Sequence, residues 1–190
     1  MLKRYDYMDS DEFLMLKSQE GDDQAFGLLY DRYATKMVGY FYKMLWNDRN
    51  RAEDMTQDLF TKLIKNGSSF DKNKNFKTWI FTIASNMCKN EYRHEEVRRK
   101  HVDSQKSVSP TFDSEPAIDS ALFKRRLDEQ LSELDVTKRS VFIMRFKQNL
   151  SIKEIAKVMD CSEGTIKSRI FYTLKELATQ LKEFDPKRTS

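Results

Sequence analysis

Apolar side chains recur every three or four residues along most of this chain, and that spacing constrains its fold more than any other feature. A first such run contains Phe26, Leu29, Tyr33, Met37, Phe41 and Met44. Residues with this period lie on one face of an α-helix, for which Asp22 or Asp23 is a suitable N-cap. The 190 residues include only 5 Gly and 3 Pro, and we find no segment with the apolar–polar alternation of strands. The sequence therefore predicts an all-α protein.

The helical period is absent from residues 101–117. This segment combines Ser, Pro and Asp with few apolar residues, a composition that is typical of flexible linkers. We therefore expect two small helical domains joined by a flexible linker. The predicted boundaries are residues 1–100, 101–119 and 120–190.

Charge is distributed unevenly along the chain. Residues 37–100 carry 13 basic and 8 acidic side chains and residues 137–190 carry 12 and 6, whereas residues 101–136 carry 4 and 8. Basic surfaces favour phosphate contact because counterions are released on binding. A small basic excess is equally compatible with an ordinary solvated surface, so charge alone leaves nucleic-acid binding open.

Several classes of protein are not expected. No window approaches 18 consecutive apolar residues and the N-terminus lacks the apolar run of a secretory signal, so we expect a cytoplasmic protein without membrane insertion. Cys88 and Cys161 form no C-x-x-C pair and the sequence contains only two histidines, so neither a disulfide framework nor a metal site is expected. Because the sequence has no catalytic or phosphate-loop constellation, we expect neither an enzyme nor a cofactor.

A second helix is predicted to start at Asn50, with Glu53 completing a capping box, and to end at residues 66–67, an Asn-Gly pair that tolerates left-handed backbone angles. Its apolar face carries Met55, Leu59 and Leu63. The opposite face is polar and consists of Asp54, Gln57, Asp58 and Thr61, which are spaced by three and four residues. Such a face is either an ordinary solvated surface or a surface for a partner.

The following loop mixes aromatic and basic residues, namely Phe70, Lys72, Lys74, Phe76 and Lys77. Aromatic rings stack on unpaired bases while cations hold the backbone, but the two phenylalanines could equally pin the loop to the core. The next helix, over residues 77–99, is predicted to point one set of polar side chains outward: Thr82, Ser85, Asn86, Lys89, Asn90 and Arg93. Amide and basic groups at this spacing can contact bases and phosphates.

The C-terminal half has the pattern of a helix-turn-helix motif. Ser151 and Glu154 form a capping box before one apolar-periodic helix, residues 160–162 form a tight turn, and Ser162 caps the next helix. In such motifs the second helix enters the major groove of DNA. The pattern therefore favours DNA binding.

Two parts of the chain resemble bacterial sigma factors. The helix-turn-helix of sigma region 4 resembles LSIKEIAKVMDCSEGTIKSRIFYTLKEL, and sigma region 2 resembles AEDMTQDLFTKLIKN followed by FKTWIFTIASNMCKNEYR. The resemblance covers roughly residues 22–100 and 120–182. With a short linker between the two regions, the chain is similar to extracytoplasmic-function (ECF) sigma factors, the smallest class of the sigma-70 family.

The resemblance implies a role for each polar surface. The set Asp54, Gln57, Asp58 and Thr61 would bind the clamp helices of the β′ subunit of core RNA polymerase. A second set would hold the melted non-template strand of the minus-10 element, with one base flipped into a loop pocket: Phe70, Lys74, Phe76, Lys77, Asn86, Lys89, Asn90 and Arg93. In the minus-35 major groove, bases would be contacted by Lys167, Ser168 and Phe171 and phosphates by Thr165 and Arg169. Burial of Phe171 against the domain is the alternative.

Partners follow from the same resemblance. It implies binding to core RNA polymerase, including the β flap, to promoter DNA and to an anti-sigma factor, and a role in transcription initiation without catalysis. The alternative function is a helix-turn-helix transcriptional regulator of the response-regulator type, without sigma activity. That alternative requires alternating strands and helices in the N-terminal half.

Overall fold

Helices account for all the regular structure in the described part of the chain. The structure is a computed structural model that describes residue 5, residues 8–101 and residues 118–184. The α-helices are α1 (Asp11–Gln19), α2 (Asp23–Met44), α3 (Arg49–Lys65), α4 (Phe76–His101), α5 (Ile118–Glu133), α6 (Val136–Phe146), α7 (Ile152–Met159) and α8 (Glu163–Gln180). Short 3-10 turns follow α3 and α8. The all-α prediction is confirmed, while residues 102–117 of the predicted linker lie outside the described residues.

Side chains at the helix starts explain most of the boundaries. The carboxylate of Asp22 accepts hydrogen bonds from the backbone of Gln24 and Ala25 at the start of α2, and Ser151 and Glu154 form the predicted capping box of α7. The predicted cap at Asn50 is wrong. Asp48 occupies that position with an extended backbone, so α3 begins two residues earlier than expected and already includes Asn50.

The N-terminal and C-terminal helices share one hydrophobic core. Fully buried side chains from both halves belong to it, including Leu14, Met37, Phe81, Ile143 and Ile155. Burying such a side chain stabilises a fold by about 1.5–3 kcal/mol. Helix α2 packs on α6, and α4 packs on both α6 and α7.

Polar groups also bridge the two halves inside this contact. The Tyr40 and Ser140 hydroxyls lie 2.8 Å apart in a buried hydrogen bond. Arg139, only 1% exposed, donates to the Tyr92 hydroxyl at 2.8 Å. Tyr92 in turn donates to the carbonyl of Met44 at 2.7 Å. The two halves are therefore joined by specific contacts as well as by apolar burial.

No helix of the described ranges combines the length and the apolar character that crossing a membrane requires.

Candidate nucleic-acid and polymerase interfaces

Helices α7 and α8 form the predicted helix-turn-helix. Asp160 makes the turn with a left-handed backbone, φ 49°, and Ser162 caps α8 by accepting from the backbone N–H of Thr165 at 3.1 Å. Ile155 of α7 and Ile166 and Leu177 of α8 are buried. These contacts fix the angle between the helices and leave the other side of α8 in solvent.

The side chains predicted to contact the minus-35 element lie on the early turns of α8. Lys167, Ser168 and Phe171 are exposed, with Phe171 61% exposed, so the alternative of burial does not apply to it. Thr165 and Arg169 are half-buried. The Thr165 hydroxyl lies 2.9 Å from that of Ser162, and Arg169 lies 3.7 Å from the sulfur of Cys161. The helix therefore presents a lysine, a hydroxyl and an aromatic ring outward from its N-terminal half.

The polar face of α3 is fully available to solvent. All four predicted polymerase-contacting residues are exposed: Asp54, Gln57, Asp58 and Thr61. The buried face behind them carries Leu59 and Leu63. Ile64 is 64% exposed, seven residues after Gln57 and hence on the same side of the helix. An exposed isoleucine beside acidic and amide groups was missed by the sequence analysis, which assigned only polar residues to this surface.

The aromatic residues of the loop after α3 face inward. Phe70 is 5% and Phe76 0% exposed. Phe70 packs against Trp79, with ring centroids 5.0 Å apart, and Phe76 packs against Tyr33 at 5.2 Å. In this structure the two phenylalanines pin the loop to the core, so neither ring is available for stacking on a base. The exposed loop surface is polar and includes Lys72, Asn73 and Lys74.

Only part of the predicted outward face of α4 is exposed, because α7 packs against the rest. Asn86, Asn90 and Arg93 are exposed and Lys89 is half-buried. The expectation for Ser85 is wrong. It is 1% exposed, and its hydroxyl lies 3.7 Å from the sulfur of Met159, because α7 packs on this side of α4.

Lys77, also predicted to contact the minus-10 strand, is held by the C-terminal half. Its ammonium group lies 3.2 Å from the carboxylate of Glu154. Burial alone would raise the pKa of Glu154, but hydrogen bonds from Ser151 and Lys77 outweigh it and lower that pKa below its ordinary value. The carboxylate is therefore ionised at neutral pH and keeps Lys77 paired.

A cleft separates the far end of α4 from the start of α6. Lys89, Tyr92 and Arg93 line one side, and Ser132 and Thr137 line the other. Two of the predicted minus-10 residues thus face the C-terminal half across this cleft. The predicted minus-10 surface of α4 is therefore shared between solvent and contact with the helix-turn-helix half.

Family profiles match both halves of the chain. The profile described as Sigma-70 region 2 matches residues 29–98, and the one described as Sigma-70, region 4 matches residues 124–177. The first contains α3, the loop and most of α4, and the second contains the helix-turn-helix. Together they cover more than half of the chain.

Similar proteins and structures agree with these profiles. The ECF RNA polymerase sigma-E factor of Haemophilus influenzae is 29% identical over 172 residues, which span 85% of this chain and 90% of that protein. The ECF RNA polymerase sigma factor SigW of Bacillus subtilis is 27% identical over 180 residues, spanning 87% and 93%.

Two solved structures share the fold. CnrH, solved in complex with the cytosolic domain of CnrY, superposes with a TM-score of 0.71 at 22% identity over 93% of this chain and 100% of that chain. RpoE from Bartonella quintana, solved with the anti-sigma factor NepR, gives 0.67 at 21% identity over 84% and 98%. With both sigma regions matched in order and both halves folded accordingly, this chain belongs to the sigma-70 family of RNA polymerase sigma factors, in its extracytoplasmic-function group.

Proposed function

We propose that this sigma factor binds core RNA polymerase through the exposed polar face of α3. Asp54, Gln57 and Asp58 would meet basic groups of the β′ clamp helices, and Ile64 would add apolar contact at the edge. The observation that carries this proposal is that four polar side chains at helical spacing are exposed together on a helix whose opposite face is fully buried. The β flap would bind the C-terminal half.

Promoter recognition is assigned to the two basic halves. In α8, Lys167 and Ser168 would hydrogen-bond base edges of the minus-35 element and Phe171 would contact a thymine methyl. The loop after α3, through Lys74, and the exposed part of α4, through Asn86, Asn90 and Arg93, would hold the melted minus-10 strand. Phe70 and Phe76 shape the floor of this loop from within.

Strand opening requires no catalytic group in this scheme. A protein that binds the single strand in preference to the duplex shifts the melting equilibrium by its difference in affinity. One base would be extruded into the loop after α3, at a cost of a few kcal/mol, which phosphate and amide contacts would offset. We therefore assign the protein a non-enzymatic role in transcription initiation, in the cytoplasm where core polymerase works, under the control of an anti-sigma factor. The response-regulator alternative is not favoured, because the described N-terminal half consists of helices.

Co-elution with core RNA polymerase tests the α3 surface. The double variant Gln57→Ala, Asp58→Ala is expected to lose co-elution on size exclusion while keeping the thermal unfolding midpoint of the wild type, since both side chains are exposed. A matched control, Gln24→Ala with Asp31→Ala, removes the same residue types from exposed positions of α2 and should co-elute normally. Normal co-elution of the first variant would remove this face from the polymerase interface.

A further inference from the structure

Helix α1 holds both ends of the loop that joins α3 to α4, residues 66–75. The helix is itself fixed on α2, because Leu14 and Met15 are buried and the carboxylate of Asp11 accepts from Arg32 at 2.6 Å and from the Tyr33 hydroxyl. It therefore offers a rigid support beside the loop.

Glu12 holds the end of the loop that leads into α4. One oxygen of its carboxylate accepts from the backbone N–H of Phe76 at 2.9 Å and from the side-chain amide of Asn75 at 3.1 Å. Asn75 is also the N-cap of α4, because its side-chain oxygen accepts from the backbone N–H of Thr78 at 3.0 Å. The first N–H groups of a helix have no helical partner, and a carboxylate is favoured at that end by the helix dipole. Glu12 thus caps α4 from 64 residues away.

Gln19 and Met15 hold the end of the loop that leaves α3. The side-chain amide of Gln19 donates to the carbonyl of Gly67. Gly67 is buried, and a Cβ atom there would lie 3.1 Å from the terminal methyl of Met15. The φ of Gly67 is not in the left-handed region, so the glycine contributes room beside Met15 rather than backbone freedom.

The distance between these two attachments is set by α1 itself. Glu12 and Gln19 are seven residues apart, about 10 Å along a helix at 1.5 Å per residue. The exposed side chains Lys72, Asn73 and Lys74 lie between the attachments. A loop fixed at both ends loses less conformational entropy when it binds a strand.

We infer that Glu12 and Gln19 are positioning residues for minus-10 strand recognition, which hold the loop after α3 in the conformation that reads the unpaired base. This inference rests on the proposed function of that loop. It assigns a role in DNA specificity to helix α1, which carries none of the residues proposed to contact DNA or polymerase.

The test measures holoenzyme binding to fork-junction DNA with a single-stranded non-template minus-10 segment. The promoter sequence is selected from a random library by the wild-type holoenzyme, and each minus-10 base is replaced in turn by an abasic site. Glu12→Ala should weaken binding to the intact strand about tenfold, equivalent to about 1.4 kcal/mol. It should weaken binding less than twofold when the abasic site replaces the base that the loop reads. Glu12→Gln, which keeps an acceptor oxygen but not the charge, should lie between the wild type and Glu12→Ala.

Controls separate positioning from general stability. Glu20→Ala removes a carboxylate at the C-terminal end of the same helix, where it pairs with Lys17 at 2.6 Å, and should match the wild type throughout. If Glu12→Ala proves too unstable, Gln19→Ala acts on the opposite end of the loop and should show the same dependence on the abasic site.

Two results would overturn the inference. Equal weakening on intact and abasic strands would mean that α1 only stabilises the domain. Unchanged binding by folded Glu12→Ala and Gln19→Ala would mean that the loop needs no support. If instead the wild-type holoenzyme itself is insensitive to every abasic site, the proposed function of the loop fails and the inference fails with it.

Discussion

Arg139 shows how much the contact between the two halves depends on single residues. Its side chain is 1% exposed, and within the described residues only the Tyr92 hydroxyl accepts a hydrogen bond from it, while its Nε has no partner. Burial lowers the pKa of this guanidinium, although Tyr92 opposes that effect. The charge of Asp128 also favours the cation, but a buried cation is costly unless its hydrogen bonds are retained, and Tyr92 accepts the hydrogen bond seen here.

Tyr92→Phe tests this dependence directly. Removing the hydroxyl leaves Arg139 without its acceptor and the Met44 carbonyl without its donor, so we expect a loss of about 1–3 kcal/mol in the free energy of unfolding. Urea unfolding of the full chain measures it. In an Arg139→Met background the same change should cost less, because the apolar methionine needs no acceptor. Equal costs in both backgrounds would contradict the assigned coupling.

Single residues were predicted well where their environment is local. Asp58 is exposed as helical spacing indicated, and Lys167 and Ser168 are exposed as the resemblance to sigma region 4 implied. The orientation of the Phe70 ring could not be decided from the sequence, because whether an aromatic ring in a polar loop faces inward depends on Trp79 and the core behind it. Ser85 was misplaced for a related reason: a small hydroxyl on a polar helix face can be covered by another domain, and the pattern of one helix does not reveal this.

At the scale of elements, the start of α8 combines a structural cap with the proposed contact to DNA. The Ser162 hydroxyl satisfies the N–H of Thr165, and the same helix terminus is the end from which α8 would approach DNA. Substitutions at Ser162 can separate capping from DNA contact. The cap requires only an acceptor oxygen, which an aspartate also supplies, whereas the negative charge of an aspartate would repel DNA phosphates.

Two substitutions at Ser162 should therefore differ. Ser162→Ala is expected to lower the free energy of unfolding by about 1 kcal/mol. Ser162→Asp should keep stability but weaken binding of the holoenzyme to minus-35 duplex DNA. Thermal unfolding and fluorescence anisotropy measure the two effects, and Ser168→Ala, at an exposed position beyond the cap, is the control for stability. Undiminished DNA binding by Ser162→Asp would place this helix end away from the phosphates.

Elements were predicted most accurately where period and cap agree. The helix α7 has only eight residues, yet its apolar face and its capping box located it correctly. Helix α1 was not predicted, because nine residues with two buried side chains, Leu14 and Met15, give little periodic signal. Its significance comes from tertiary contacts with residues 64 positions away, which local patterns do not contain.

At the scale of the whole molecule, the described structure holds the two DNA-binding halves together. Helix α4 contacts α7, and Lys77 pairs with Glu154 across the contact. Promoter elements centred near minus-10 and minus-35 are about 85 Å apart at 3.4 Å per base pair. A compact chain of 190 residues has a radius of gyration of about 16 Å, so we expect the two halves to separate when both elements are bound. The sequence predicted the halves but not their contact, because that contact uses Tyr40, Ser140 and Arg139, polar residues that patterns assign to surfaces.

Separation should be measurable by energy transfer between dyes on the two halves. In a Cys88→Ser, Cys161→Ser background, dyes attached through Asp31→Cys on α2 and Lys175→Cys on α8, both exposed positions, should show high transfer in the free chain and low transfer on core polymerase. Equal transfer in both states would contradict the requirement for separation.

The contact between the two halves should also compete with polymerase binding. If core polymerase binds only the open form, in which the halves are separated, its apparent affinity falls in proportion to the fraction of chains that are open. Lys43 of α2 pairs with Asp128 of α5 at 2.7 Å, and both side chains are largely buried. Lys43→Ala, outside every surface assigned to DNA or polymerase, should therefore lower energy transfer in the free chain and tighten core binding. Arg49→Ala, which breaks the exposed pair with Glu53 within α3, should change neither. If Lys43→Ala lowers transfer but leaves core affinity unchanged, the closed form binds polymerase as well as the open one, and separation occurs only when DNA arrives.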